Sequence, residues 1–127
     1  MKPSAFLGLR TVVYQVADID RAKQWYSAVL GIGPYFDQPF YVGYNVGGFE
    51  LGLHPEEAGH RAGPGGAVVY WGVEDIASAW TRLLERGAKA VSPATDVGEG
   101  IKVATLQDPF GNLVGIIENP HFPNPAD

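Results

Sequence analysis

In the stretch GGFELGLHP (47–55) a carboxylate, Glu50, and an imidazole, His54, stand either side of Gly52. On a strand, alternation puts all three on one face, with Glu50 and His54 about 13 Å apart. Two groups of this kind could act as acid and base if burial moved their pKa values. A buried Glu50 would also need a partner, and His54, Lys102 or a cationic ligand could serve. Sharing one metal ion is harder, because ligand distances of about 2.0–2.6 Å cannot span that gap without bent rotamers and further donors. The other histidines, His60 in PEEAGHRAGPGG (55–66) and His121 in NPHFPNPAD (119–127), are expected at the surface. The chain has no cysteine, which excludes disulfides, thiolate zinc sites and cysteine nucleophiles. No Gly-x-Ser-x-Gly motif, paired-carboxylate motif or phosphate-cradling glycine loop is present.

The second chemical feature is aromatic. The segment PYFDQPFYVGYNVGGF (34–49) holds Tyr35, Phe36, Phe40, Tyr41 and Tyr44. Two or three of these are expected to face a ligand, each stacking contact contributing roughly 0.5–1.5 kcal/mol beyond area burial. Trp25, Trp71 and Trp80 fall on helix or outer-face positions and are expected in core packing. With 127 residues, 46% hydrophobic and 18% charged, the chain reads as globular. Its net charge of −5 and lack of a basic block argue against nucleic-acid binding. No apolar run approaches the roughly 20 residues of a membrane span, and MKPSAFLGLR lacks a signal-peptide core, so a cytoplasmic location is expected.

The elements that must position these residues occur twice. LRTVVYQVADIDRAKQWYSAVLGIG (9–33) and GAVVYWGVEDIASAWTRLLERGAKA (66–90) share an alternating β-rich run, an Asp-Ile, a helical pattern and a glycine. Residues 12–16 and 69–73 read as strands, and Asp18 and Asp75 as helix N-caps. The first helix should bury Ile19, Ala22, Tyr26, Val29 and Leu30, the second Ile76, Ala79, Trp80, Leu83 and Leu84. Gly31 and Gly87 sit where left-handed C-caps belong. Further strands are expected near 35–38, 40–46, 94–97 and 101–107, and GGFELGLHP aligns with GNLVGIIENP (111–120) so that Gly52 matches Gly115. In DPFGN (108–112), Asp108 should accept backbone N–H bonds, Pro109 presets φ for the next corner, and Gly111 and Asn112 tolerate the positive φ that reverses the chain. Each half is therefore β-α-β-β-β: module 1 about 5–55, a mobile linker about 56–65, module 2 about 66–120, and a tail 121–127.

VADIDRAKQWYSAVLGI (16–32) and LQDPFGNLVGIIE (106–118) are the stretches by which the chain resembles the vicinal oxygen chelate superfamily, also called the glyoxalase/bleomycin-resistance/dioxygenase family. The resemblance covers nearly the whole chain. It implies an α+β fold of two tandem βαβββ modules forming a curved, half-open mixed sheet, with helices on the convex side and a cavity on the concave face. It places metal ligands seven residues before each capping Asp, at Thr11 and Val68, and on the last strands, at Gly115 and its counterpart Gly52. Those residue types cannot cage a divalent cation, so neither metal nor cofactor is expected. Alternation then lines the cavity with Thr11, Val13, Gln15, Glu50, His54, Val68, Tyr70, Leu113 and Ile117. Tyr35, Phe36, Tyr41, Tyr44, Gly52 and Gly115 complete the candidate site, whose glycines either deepen the floor or relieve strand curvature. The implied function is metal-free binding of a planar or aromatic small molecule, a cationic one among the options. The alternative is an enzyme using Glu50 and His54. The resemblance also implies a homodimer.

Overall fold

The computed structural model describes residues 6–121, so the start of module 1 at residue 5 and the tail beyond His121 lie outside the described residues. The element order is β1 (Phe6–Val16), α1 (Ile19–Leu30), β2 (Phe36–Gln38), β3 (Tyr41–Val46), β4 (Phe49–Pro55), β5 (Val68–Val73), α2 (Ile76–Glu85), β6 (Lys89–Asp96), β7 (Lys102–Gln107) and β8 (Leu113–Glu118). Two helices and eight strands, paired in both parallel and antiparallel fashion, give the α+β class, with βαβββ twice in succession. The chain clusters into two compact units. One is Thr11–Val68, and the other joins residues 6–10 to residues 69–121. β1 is thus longer than the 12–16 run suggested, and its first residues belong with the second unit.

In the Thr11–Val68 unit the strand order is β2-β3-β4-β1. β1 and β4 run parallel with Thr11 opposite Glu50, Val13 opposite Gly52 and Gln15 opposite His54. β3 pairs antiparallel with both β4 and β2. The register sets two faces. One carries Val42, Tyr44 and Leu53, all buried, against Ile19, Ala22, Tyr26 and Leu30 of α1. The other carries Thr11, Val13, Gln15, Glu50, Gly52, His54, Tyr41 and Phe36.

α1 starts where Asp18 Oδ1 accepts the Arg21 N–H at 3.1 Å and ends at Gly31, whose φ of 73° is the left-handed cap expected. Its burial differs from expectation on one flank. Val29 is 60% exposed and Trp25 59%, the latter edge-on to Tyr26 with ring centroids 4.8 Å apart. Both lie at the margin of the Ile19/Ala22/Tyr26/Leu30 stripe, where the sheet no longer reaches them. Lys23 pairs with Asp37 at 3.1 Å, an exposed link from α1 to the edge strand β2 that contributes little.

In the other unit the order is β5-β8-β7-β6. Its core is Val73, Ile76, Ala79, Ala104, Leu106 and Ile116, with Phe6, Trp80 and Leu83 packed on it. Trp80 packs there as expected, whereas Trp71 is partly exposed, edge-on to Phe6 at 6.2 Å, and Leu84 lies at the surface. Asp75 caps α2 by accepting the Ala77 and Ser78 N–H groups, and Glu118 Oε1 accepts the Ile76 N–H at 2.9 Å. At its other end the helix has Arg86, not Gly87, as its cap, and Gly87 follows at φ 101°. Ala88 N–H then reaches the Leu83 carbonyl and Gly87 N–H that of Leu84, a Schellman closure. In DPFGN, Asp108 Oδ1 accepts the N–H groups of Phe110 and Asn112, each at 2.9 Å. Gly111 takes positive φ but Asn112 does not; its side-chain amide instead donates to Asp108 Oδ2 at 3.1 Å.

The linker carries hydrogen bonds of its own. Glu56 N–H donates to Val16 O, Glu57 and His60 form a two-bond bridge, and Ala62 N–H donates to Glu56 Oε2. Among the described residues no helix is long and apolar enough to cross a membrane.

Candidate functional site

Glu50 is the centre of the face of β4 that turns away from α1. Cross-strand register delivers Thr11, whose Oγ1 donates to Glu50 Oε1 at 3.2 Å. Tyr41, at the start of β3, donates its hydroxyl to the same oxygen at 2.9 Å. Tyr35, just before β2, donates its hydroxyl to Oε2. A carboxylate offers about four lone-pair sites, and three hydroxyls take three of them. The spare acceptor position is on Oε2.

Two glycines make this cluster possible. A Cβ on Gly52 would overlap the Tyr41 hydroxyl and ring, and one on Gly43 would stand 2.8 Å from Glu50 Oε2 and 3.3 Å from the Tyr35 ring. In the other unit, a Cβ on Gly115 would lie 2.5 Å from Tyr70 Cδ1. Val13 opposite Gly52 and Tyr70 opposite Gly115 are equivalent register pairs, so the strand pairing aligns these glycines just as the internal sequence repeat does. The floor each glycine opens is filled by a tyrosine ring lying over it. The glycines therefore make room for the tyrosine rings and do not leave an open floor.

Electrostatics favour a neutral Tyr35. Burial, then the hydrogen bond to Glu50 and its negative charge, push this phenol far above the usual tyrosine value. Because 63% of Tyr35 is exposed, the carboxylate contact is the sturdier of those causes. Beside it Phe36 packs against Phe40 and Tyr41, with centroids 6.0 and 6.1 Å apart. Tyr35, Phe36 and Phe40 are all exposed. The result is an open aromatic patch rimming a carboxylate.

Several placements differ from expectation. Tyr44 stands on the opposite face: it is fully buried under α1, donates to Lys23 O at 2.9 Å and accepts from Ser27 Oγ at 2.8 Å. Tyr41 and Tyr44 are three residues apart on β3, and residues so spaced on a strand face opposite ways. Glu50 takes its partners from hydroxyls and not from His54 or Lys102. His54 Nδ1 donates to Pro55 O at 2.7 Å, and Lys102 Nζ lies 3.9 Å from Glu118. His121 is exposed, with Nε2 2.9 Å from Glu99 O. Val68 is buried at the start of β5; Tyr70, Leu113 and Gly115 belong to the other unit, where burial raises the Tyr70 phenol. The role of Thr11 as a donor to Glu50 follows from strand pairing alone, once the register is known.

The four positions at which the resemblance puts metal ligands do not fit a metal. Val68, Gly52 and Gly115 offer no side-chain donor, and the Thr11 hydroxyl is engaged by Glu50. Among the described residues no three His, Asp or Glu side chains gather to hold an ion.

The sequence model of the Glyoxalase/Bleomycin resistance protein/Dioxygenase superfamily matches residues 8–116. No curated protein matches the chain in sequence. Among solved structures, methylmalonyl-CoA epimerase from Mycobacterium tuberculosis is similar with a TM-score of 0.73 and 21% identity, covering 93% of this chain and 91% of its own. A superfamily member from Vibrio splendidus 12B01 has a TM-score of 0.67 and 20% identity, covering 87% and 99%. The Mn(II)-bound glyoxalase from Novosphingobium aromaticivorans has 0.67 and 19%, covering 91% of this chain and 40% of that one. At these identities the likeness is one of fold.

Proposed function

The chain belongs to the glyoxalase/bleomycin resistance protein/dioxygenase superfamily, and from that premise we propose that it is a metal-free small-molecule binding protein. Its ligand is a planar, aromatic cation, held in the manner of drug sequestration rather than turned over. The observation that carries this reading is the Glu50 carboxylate, fixed by Thr11, Tyr35 and Tyr41 and bordered by exposed aromatic rings. An aromatic face attracts a cation by its quadrupole, by about 0.5–2 kcal/mol, and a carboxylate with a spare acceptor site adds a charge-assisted hydrogen bond. The fixed hydroxyls hold the carboxylate in place before the ligand arrives, which lowers the ordering cost of binding.

The second reading, an enzyme built on Glu50 and His54, is the weaker one, because those groups do not contact each other and His54 is tied to its own strand's carbonyl. A cation-binding Glu50 and a Lewis-acid enzyme are also separated by donor chemistry: a metal enzyme polarises its substrate through ligands that Thr11, Gly52, Val68 and Gly115 do not supply. The proposed assembly is a homodimer. Trp25 and Val29 on one flank of α1, and Ile32 just past its end, support it as apolar side chains left exposed.

Calorimetric titration with benzamidinium and with benzamide, its neutral counterpart, tests the ligand class. The cation should bind and the amide should bind at least about tenfold more weakly. Equal affinities would contradict the proposal.

A further inference from the structure

Glu50 offers a ligand less than a free carboxylate does. Oε1 accepts from Thr11 Oγ1 at 3.2 Å and from the Tyr41 hydroxyl at 2.9 Å, which fills both of its lone-pair positions. Oε2 accepts from the Tyr35 hydroxyl and keeps one position. That count restricts the shape of the cation. An amidinium or guanidinium makes its strongest contact as a fork, with two N–H groups on the two oxygens of a carboxylate. The filled Oε1 excludes that arrangement. The same fork could close on Oε2 alone, one N–H to each lone pair, but Tyr35 already occupies one of them. A single N–H is what Oε2 can still take. Beside it the exposed Phe36 and Phe40 rings, and the Tyr35 ring itself, offer faces suited to alkyl groups on a charged nitrogen.

We propose that Tyr35 is the specificity-determining residue of this site: by holding Oε2 to one acceptor position it selects a tertiary ammonium, a cation with one N–H, on an aromatic ligand. The inference rests on the cation-binding reading and narrows its ligand class. A tertiary ammonium gives its one N–H to Oε2 and turns its alkyl groups to the rings, so that no donor is left over. An amidinium meets the same oxygen with one N–H and leaves the second arm of its fork without an acceptor on Glu50, and an unmade bond of that kind lowers affinity. A quaternary ammonium keeps the charge and the ring contacts but has no N–H to give.

Three probes with one phenyl ring and one positive charge test this by calorimetry at pH 7: N,N-dimethylbenzylammonium, benzyltrimethylammonium and benzamidinium. On wild type the dimethyl compound should bind about tenfold more tightly than either of the others, the change one charge-assisted hydrogen bond supplies. Tyr35→Phe removes the hydroxyl and frees the second position on Oε2, so the amidinium fork can close there. Its advantage for dimethylbenzylammonium over benzamidinium should shrink to about twofold or less, while that over benzyltrimethylammonium persists. Tyr35 is exposed, so the variant should fold with an unchanged thermal midpoint, and Tyr35→Leu, which also lacks the hydroxyl, should show the same narrowing. Equal binding of the dimethyl and trimethyl compounds to wild type overturns this inference alone, as does benzamidinium binding as tightly as the dimethyl compound. A wild-type preference over benzamidinium that survives unchanged in both Tyr35 variants also overturns it. Failure of all three probes to bind wild type overturns the cation reading, and this inference with it.

Discussion

Glu50 draws its surroundings from three sequence positions that no local pattern joins: Thr11 is 39 residues away, Tyr35 15 and Tyr41 nine. Alternation alone puts Glu50, Gly52 and His54 on one face, and Thr11, Val13 and Gln15 on one face. It does not supply the pairing of β1 with β4, so the sequence points to charged partners for Glu50 where the fold provides hydroxyls. Hydroxyl donors have no spacing signature. Glu50→Gln should weaken benzamidinium by at least about tenfold in calorimetry while the neutral benzamide is unchanged. The same variant should bring Tyr35 ionisation down toward the ordinary tyrosine value near 10, read by absorbance at 295 nm, because it removes the negative charge that opposes the phenolate. In wild type the raised Tyr35 value favours folding fully below pH 10 or so, and that contribution fades as pH climbs above it. Gly52→Ala should cost about 1–3 kcal/mol in urea denaturation through overlap with Tyr41. Combining it with Tyr41→Ala should cost less than the sum of the two, since the overlap is then gone.

At the scale of elements, most of the fold is legible in the sequence. The Asp18 and Asp75 caps, the apolar stripes and the glycine closures each obey a local rule, and local rules can be read from a single chain. The exceptions have geometric causes. Val29 and Trp25 lie at the margin of the α1 stripe, and a period alone cannot tell how far the sheet beneath extends. Tyr44 belongs to the helix face because the β3–β4 register sets it opposite Leu51, on the face of Val42 and Leu53, and a single strand's sequence does not give that register. Tyr44→Phe tests that placement: it should cost about 1–2 kcal/mol by orphaning the Lys23 carbonyl and Ser27 hydroxyl, with benzamidinium affinity unchanged. The caps also carry a pH signature. Asp75 is lowered first by the Ser78 backbone N–H, and Asp108 first by that of Asn112. Carboxylates depressed in the folded state stabilise it above their unfolded value, and that contribution is lost as pH falls below about 4. Asp75→Ala and Asp108→Ala should therefore lower the thermal midpoint at pH 7, and the gap to wild type should narrow in acid.

At the scale of the whole molecule, the internal repeat makes the doubled βαβββ architecture readable from residue order alone. The same repeat shows what this chain does differently: both last strands carry glycine at equivalent register positions, and in both a tyrosine covers it. The fold is common to an epimerase and a Mn(II)-bound glyoxalase, so fold alone leaves function open and the side chains at the site must decide it. If the exposed flank of α1 is an interface, sedimentation at micromolar concentration should give a dimer, and Trp25→Glu with Val29→Glu should give a monomer with benzamidinium binding intact. The central claim, a cation held by Glu50 without a metal, is tested most directly by native mass spectrometry with benzamidinium, before and after chelator, on wild type and Glu50→Gln. The expected result is one benzamidinium per chain on wild type, indifferent to chelator and absent from the variant. A metal at one per chain that leaves with chelator and takes ligand binding with it would contradict the account.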